Sequence, residues 1–297
     1  MKIVANRRTI EKNLVGYLCI LPAFIVMVIF LIYPSGALFY YSVTDMNFFA
    51  HTMSFIGLDN FASILSNNTF LQALWNSIYF ALIVVPVQSF LAFLIAVFLT
   101  KINTKISSFF RTIYFFPVVA TLVAIAQVWV LIYQPDFGLA NSIMHELGLP
   151  RQGFLGDVAH AFHYIMLFSI WKSFGWYVIV FLAGIMGISK DIYEAGKIDG
   201  VTPVKELFYI TLPLIRRTTL LVIIMTTMDS VKVFAPVYIM TNGSGGPLNS
   251  TNVAINYIYN TAFSFGDLGY AAAGSVLVFV IIMAISALQY FFLNKND

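Results

Sequence analysis

The sequence has 297 residues, 60% of them hydrophobic and 10% charged, with a mean hydropathy of +0.87 and a formal net charge of +3. Soluble domains carry charge on about a quarter of their residues, so this chain cannot clothe itself in a polar surface and is read as a membrane protein. One cysteine, Cys19, excludes a disulfide framework or thiolate metal site within the chain, and the small net charge gives no sign of nucleic-acid binding.

Crossing a bilayer takes about 20 mostly apolar residues. Six such runs follow one another, over about 14–41, 71–99, 112–133, 161–188, 218–240 and 269–293. The first is longer than the apolar core of a signal peptide and no small-residue cleavage site closes it, so a retained helix is expected. Lys2, Arg7, Arg8 and Lys12 precede it. Lys101, Lys105 and Arg111 stand between the second and third runs; Lys190, Lys197, Lys205, Arg216 and Arg217 stand between the fourth and fifth; Lys295 follows the sixth. Thirteen of the 16 basic residues therefore fall on one side, with Arg151 opposite and Lys172 and Lys232 inside runs. Loops rich in Lys and Arg stay cytoplasmic, which predicts both termini inside. The predicted fold class is all-α: a single polytopic membrane domain over 1–297 with six transmembrane helices.

Little in the chain suggests catalysis. No G-x-x-x-x-G-K-[ST] occurs, and Gly243, Gly245 and Gly246 have neither its spacing nor its lysine, so ATP is not expected to bind here. His160 and His163 can share a helix face but lack a third ligand, and they are read as an interfacial polar pair rather than a metal site. No Ser/His/Asp or Cys/His set is visible. Proline at 22, 86, 117 and 236 is expected to break or kink helices.

Charge within the runs has two readings. Asp229 and Lys232 lie three residues apart and share a face; Lys172 sits between Trp171 and Trp176 in the fourth run. Such charges are costly in lipid and face a bundle interior or wet cavity. They form either a neutralised structural cluster, with Asp229 paired to one or both lysines, or a solute path. In the second case Lys172 or Lys232 lines the path and Trp171 or Trp176 offers an apolar face to a sugar ring.

The loop over 189–217 is the most informative segment. Asp191 to Lys197 can start a short helix with acidic residues near its positive end. Asp199-Gly200 supplies a turn, Thr202-Pro203 a cap and first helical residue, and Pro213 a break before the fifth run. Its sequence, Glu194-Ala195-Gly196, then Asp199-Gly200-Val201, then Ile210-Thr211-Leu212-Pro213, resembles the EAA motif (E-A-A, D-G-A, I-x-L-P) of permeases from binding-protein-dependent ABC importers. Gly196 and Val201 stand where alanine is usual. Other segments fit the carbohydrate-type branch: Phe55-Ile56-Gly57-Leu58-Asp59-Asn60-Phe61, Phe116-Pro117 with Trp129, Gly138 and Asn141, then Gly245-Gly246-Pro247 with Thr251, where Ser244 departs from the usual T-x-G-G-P. Tyr257-Ile258-Tyr259, Ala262-Phe263 and Gly269-Tyr270-Ala271 continue the pattern.

The resemblance implies a type I ABC importer permease fold in a bacterial or archaeal plasma membrane, similar to the first of two paired sugar permeases. It implies a heterodimer with a second permease, two ATPase subunits that bind ATP and Mg, an extracytoplasmic solute-binding protein, and no cofactor in this chain. It assigns coupling to the ATPase to Glu194, Ala195, Gly196, Asp199 and Gly200, with Ile210, Leu212 and Pro213 completing the loop. A sugar, oligosaccharide, polyol or glycerol phosphate would be the solute. The rival readings are a secondary carrier, for which Asp229 would be the relay, and a membrane enzyme or scaffold.

Overall fold

The computed structural model describes residues 4–51 and 53–294, and side chains from Gly16 to Phe291; Lys2, Lys295 and the side chains of Arg7, Arg8 and Lys12 lie outside that description. The described residues form helices joined by turns and loops, with two isolated bridges, Thr44 to Phe55 and Asn47 to Asp267, and no strand among them. Two compact units are present: the N-terminal segment to Ile64 with Thr261–Val276, and Leu65–Asn260 with the segment from Leu277 onward.

In the first unit α1 (Val4–Met27) passes through a π-turn, Val28–Ile32, into α2 (Tyr33–Tyr41). Pro22 lies inside α1 and does not end it. From residue 16 to 40 no side chain is buried. A helix this apolar with no buried face must be covered by lipid or by another protein. The chain then turns at 42–58 into α3 (Asp59–Leu65). Asn60 holds that turn: its Nδ2 donates to the carbonyls of Ser42 (3.1 Å) and Thr44 (2.7 Å), groups left over where α2 ends. The Phe55-to-Phe61 segment thus has a structural task. The amide of Ser54 donates to the Asp45 carboxylate, which holds Asp45 below the usual carboxylate range. A depressed folded pKa gives stability that is present above the unfolded value and is lost as pH falls through the folded one. The protection of the Ser54 amide, measured as its exchange rate relative to the intrinsic rate at the same pH, is therefore expected to hold at neutral pH and to be lost only on acidification below about 3.8.

The second unit is built on α4 (Asn68–Lys101), whose 34 residues span about 50 Å. Asn67 caps it, accepting from the amides of Thr69 and Phe70, and the helix continues unbroken through Pro86. The run expected over 112–133 is two helices, α5 (Thr104–Val119) and α6 (Leu122–Ile132), bent by 94°. Pro117 removes one hydrogen bond from the last turns of α5, and Ala120 and Thr121 leave it in extended conformations. After α7 (Leu139–Glu146) comes α8 (Ala161–Met186). Next are α9 (Lys190–Ile198), α10 (Pro203–Lys205), a π-turn over Glu206–Thr211 and α11 (Leu212–Leu214). The run expected over 218–240 is likewise divided, into α12 (Arg216–Val231) and α13 (Ala235–Met240), with Pro236 in the first turn of α13. The chain closes with α14 (Ala254–Phe263) and α15 (Leu268–Asn294).

By length and composition Gly16–Tyr41, Asn68–Lys101, Ala161–Met186 and Leu268–Phe291 can each cross a bilayer. Two bent pairs, Thr104–Val119 with Leu122–Ile132 and Pro203–Leu214 with Arg216–Val231, bring the number to six if each is one span.

α4 packs along α8 and α12, and α5 along α8. In lipid there is little hydrophobic drive between helices, so close backbone approach carries the packing. Small residues supply it: Ala73, Ser77, Ala81, Ser89, Ala92 and Ala96 are interspersed with larger side chains such as Phe80, Val84 and Phe93 on the buried face of α4. Gly175 of α8 is the tightest point, since a Cβ there would sit 2.0 Å from the Tyr114 carbonyl oxygen of α5. Backbone cannot yield as a side-chain tip can. Gly175→Ala is expected to cost about 3 kcal/mol or more, read as a lower melting temperature of the detergent-solubilised complex.

Two apolar clusters result. Phe80, Val84, Phe168, Ile170 and Val233 belong to one, and Ala92, Phe93, Tyr177, Val178 and Val222 to the other. On each of α4, α8 and α12 a short polar stretch separates them: Gln88, Lys172-Ser173, and Thr226 to Ser230.

Candidate functional site

Two places gather the sequence-predicted residues, and α12 joins them. The first is the loop before α12. Ser189 caps α9, its hydroxyl accepting from the Asp191 amide (3.3 Å). The helix closes with Asp199 and Gly200, whose φ of +72° a residue without Cβ adopts freely, and the Val201 amide donates back to the Gly196 carbonyl (2.9 Å). Thr202 then caps α10, with Pro203 at its first position. Both short helices form where their caps and turn residues require them.

Gly196 is the buried residue of α9, and a Cβ there would meet Ile210 Cδ1 at 2.7 Å. The glycine standing in place of alanine therefore lets Ile210 of the π-turn rest on the helix backbone. The Tyr193 hydroxyl and Thr211 Oγ1, 3.3 Å apart, make a second contact between the same elements. Glu194, Ala195, Asp199 and Gly200 are exposed, as is Ile198 at 87%. Leu212 and Pro213 form α11, and the chain bends by 78° into α12. Lys101 at the end of α4 pairs with Glu206 (3.1 Å), anchoring the loop to the bundle. A rigid arm with one face buried and the opposite face bare is suited to receive force.

The second place is a pocket of about 360 Å³ in the polar layer, lined by Gln88, Lys172, Ser173, Tyr177, Asp229, Lys232 and Phe234 among others. Asp229 is shared: Tyr177 Oη donates to it (2.9 Å) and Lys232 Nζ lies 3.3 Å away. Lys172 is not its partner, and donates instead to the Val118 carbonyl (3.1 Å), one of the groups near the α5–α6 bend. Of the two pairings the sequence allowed, only the one with Lys232 forms. Trp171 and Trp176 lie outside the pocket lining: Trp171 packs on Trp129 (5.2 Å between centroids) and Trp176 stacks with Phe115 (6.5 Å). The aromatic groups that do line it are Phe80, Tyr177 and Phe234. Gln88 was the overlooked residue with a signal, an amide within the long apolar stretch of α4. Tyr177 and Phe234 had none, standing among many aromatic neighbours.

His160 pairs with Asp157 (2.5 Å) and His163 with the Tyr79 hydroxyl (2.9 Å), an arrangement of separate polar contacts. The Asp157 carboxylate is held below its usual range by His160 and by the Ala159 amide.

Residues 54–296 match the binding-protein-dependent transport system inner membrane component family. The chain belongs to that family. The permease is 31% identical over 289 residues to the probable ABC transporter permease protein YurN of Bacillus subtilis (strain 168), covering 96% of this chain and 98% of the relative. It is 32% identical over 276 residues to the diacetylchitobiose uptake system permease protein NgcF of Streptomyces coelicolor, with 89% and 78% covered, and 26% identical over 294 residues to the sn-glycerol-3-phosphate transport system permease protein UgpA of Pectobacterium atrosepticum, with 99% of each covered. Its fold matches a chain of a bacterial ABC transporter that imports the acidic polysaccharide alginate, with a TM-score of 0.80, 23% identity and 98% of both chains covered. The permease is thus a multi-pass inner-membrane subunit of a binding-protein-dependent ABC importer, a transport subunit rather than an enzyme.

Proposed function

We propose that this permease, paired with a second permease and two ATPase subunits, carries a sugar, an oligosaccharide or glycerol phosphate from an extracytoplasmic binding protein into the cytoplasm. The loop over 189–217 lies on the cytoplasmic side, where the charge distribution puts it, and engages the ATPase through the bare face that holds Glu194, Ala195, Asp199 and Gly200. ATP and Mg are bound by the ATPase partners and not by this chain. The solutes named for the relatives favour this class.

The observation that carries the mechanism is the continuity of α12. It begins next to the loop and ends at the pocket, and its thirteen-residue separation between Arg216 and Asp229 corresponds to about 20 Å of rigid helix. Movement of the loop as the ATPase closes is delivered to Asp229, Lys232 and Phe234, where the 232–234 break lets the pocket change shape while α13 stays packed on α6. Alternating access then needs only two arrangements of the bundle that ATP favours differently.

The test is solute-stimulated ATP hydrolysis by the reconstituted importer. Glu194→Ala removes a charge from the bare face, and Gly200→Ala strains the turn by about 1–2 kcal/mol, since its left-handed backbone disfavours a Cβ. Both are expected to lose stimulation and uptake while the complex still assembles. Full stimulation in both variants would remove the loop from the coupling path, and uptake by the wild-type chain without any ATPase would point to a secondary carrier.

A further inference from the structure

A second cavity, of about 780 Å³, opens between the ends of α4 and α8, the start of α5 and the inner face of α9. Its charged lining is lopsided: Lys101, Arg111, Lys190 and Lys197 against one carboxylate, Glu206. Lys101 already pairs with Glu206. Arg111, Lys190 and Lys197 have no acidic partner among the described residues, and the Nε of Arg111 is buried without a hydrogen-bond partner there. Lys190, Tyr193 and Lys197 repeat at helical spacing and line the cavity, whereas Glu194, Ala195, Asp199 and Gly200 are not part of its lining. The cavity therefore adjoins the face assigned to the ATPase without containing its residues.

Beside the cations the wall is apolar, formed by Leu182, Ile185 and Met186 of α8, with Met186 67% exposed. Clustered like charges repel unless an anion joins them, and a buried guanidinium nitrogen lacking a partner favours an acceptor. Phosphate oxygens suit both. The adjoining apolar wall suits a molecule that carries its phosphate on a hydrocarbon chain.

We propose that this cavity binds the phosphodiester headgroup of an anionic membrane lipid. Arg111 of α5 and Lys190 and Lys197 of α9 hold the phosphate, and the acyl chain leaves along Leu182 to Met186. Because α9 supplies two of the cations and α5 the third, an occupied site ties the loop to the bundle, and the lipid composition of the inner leaflet sets how firmly the loop is held.

The complete importer, purified with its partners and reconstituted in phosphatidylcholine nanodiscs containing a minority of phosphatidylglycerol, supplies the test. Phosphatidylglycerol retained after detergent washing is measured by native mass spectrometry across a titration of its content. A basic side chain beside an anionic headgroup is worth about fivefold in affinity, so Arg111→Gln with Lys190→Gln is expected to weaken retention about twenty-five-fold. Arg111→Lys is expected to keep most of it, and Lys205→Gln, which removes a cation of the same loop outside the cavity, to leave it unchanged. Assembly of each variant is checked by size-exclusion chromatography, and Lys197→Gln, at an exposed position, replaces the double variant if that one does not assemble. Equal retention by wild type and cavity variants overturns the proposal. A parallel arm measures binding of radiolabelled inorganic phosphate in pure phosphatidylcholine discs. Saturable phosphate binding that Arg111→Gln abolishes, without lipid enrichment, would overturn the lipid assignment in favour of a soluble phosphate ester.

Discussion

Gly196→Leu is expected to leave the permease in the membrane but to reduce coupled uptake by about ten- to a hundredfold. The glycine backbone of α9 lies against Ile210, and a single Cβ would meet the flexible Cδ1 tip at 2.7 Å. Alanine is therefore expected to be tolerated: Ile210 rotates by a small amount, and the helix gains up to about 1 kcal/mol of intrinsic propensity. Leucine adds three further carbons at a closed contact. Overpacking of this kind costs about 1–3 kcal/mol and is relieved here by moving α9 away from the π-turn. The contact between Tyr193 and Thr211 parts with it. A displaced arm docks more weakly on its ATPase, and a loss of 1–3 kcal/mol corresponds to the fold-change given above. Uptake and ATP hydrolysis should be measured side by side on Gly196→Ala and Gly196→Leu. A leucine variant as well coupled as the alanine one would show that the Gly196–Ile210 contact does not transmit the motion.

The second large effect is expected at Lys172. In the pocket, the Asp229 carboxylate is occupied by Tyr177 and Lys232, while Lys172 is the cation with no carboxylate partner among the described residues. Its ammonium gives one of three N–H donors to the Val118 carbonyl, which leaves two that an acidic or hydroxyl-rich solute would accept from. Hydrogen bonds to a charged group contribute about 1.5–3 kcal/mol, so Lys172→Met is expected to raise the solute concentration for half-maximal uptake at least about tenfold. Lys172→Arg keeps a donor and should restore part of it. If Lys172 serves only to tie α8 to the α5–α6 bend, Lys172→Met will lower the amount of assembled importer and leave that concentration unchanged. Asp229→Asn provides the contrast. It keeps an acceptor for Tyr177 but removes the countercharge of Lys232, so it should reduce uptake for acidic and neutral solutes alike.

These two sites differ in how far they could be read from the residues alone. The loop was legible because local interactions build it. Ser189, the Asp199-Gly200 turn and the Thr202-Pro203 pair each act within four residues, so spacing along the chain is spacing in the structure. The number of apolar runs was legible for a similar reason, since hydrocarbon tolerates only long apolar segments with their own hydrogen bonds satisfied. Composition determined the membrane environment, and the ordered segments determined the family.

The tertiary structure decided everything that depends on residues far apart in the chain. Whether Asp229 pairs with Lys172 or Lys232 rests on where α5 ends, because the Val118 carbonyl claims Lys172. Trp171, next to that lysine in sequence, diverges from it by about 100° and packs on Trp129, while Trp176, one turn further on, is taken up by Phe115. The proline expectations divided similarly. Pro22 and Pro86 stay inside continuous helices, whereas the chain does leave its helix just after Pro117 and just before Pro236. Inside a helix, as at Pro22, Pro86 and Pro117, proline removes one hydrogen bond, and neighbouring helices decide whether that weakness becomes a bend; Pro236, in the first turn of α13, removes none. The sequence by itself thus determined the solvent, the family and the local form of the coupling loop. Only the packing of α4, α5, α8 and α12 decided which polar side chains meet, since their positions follow from contacts that no local pattern records.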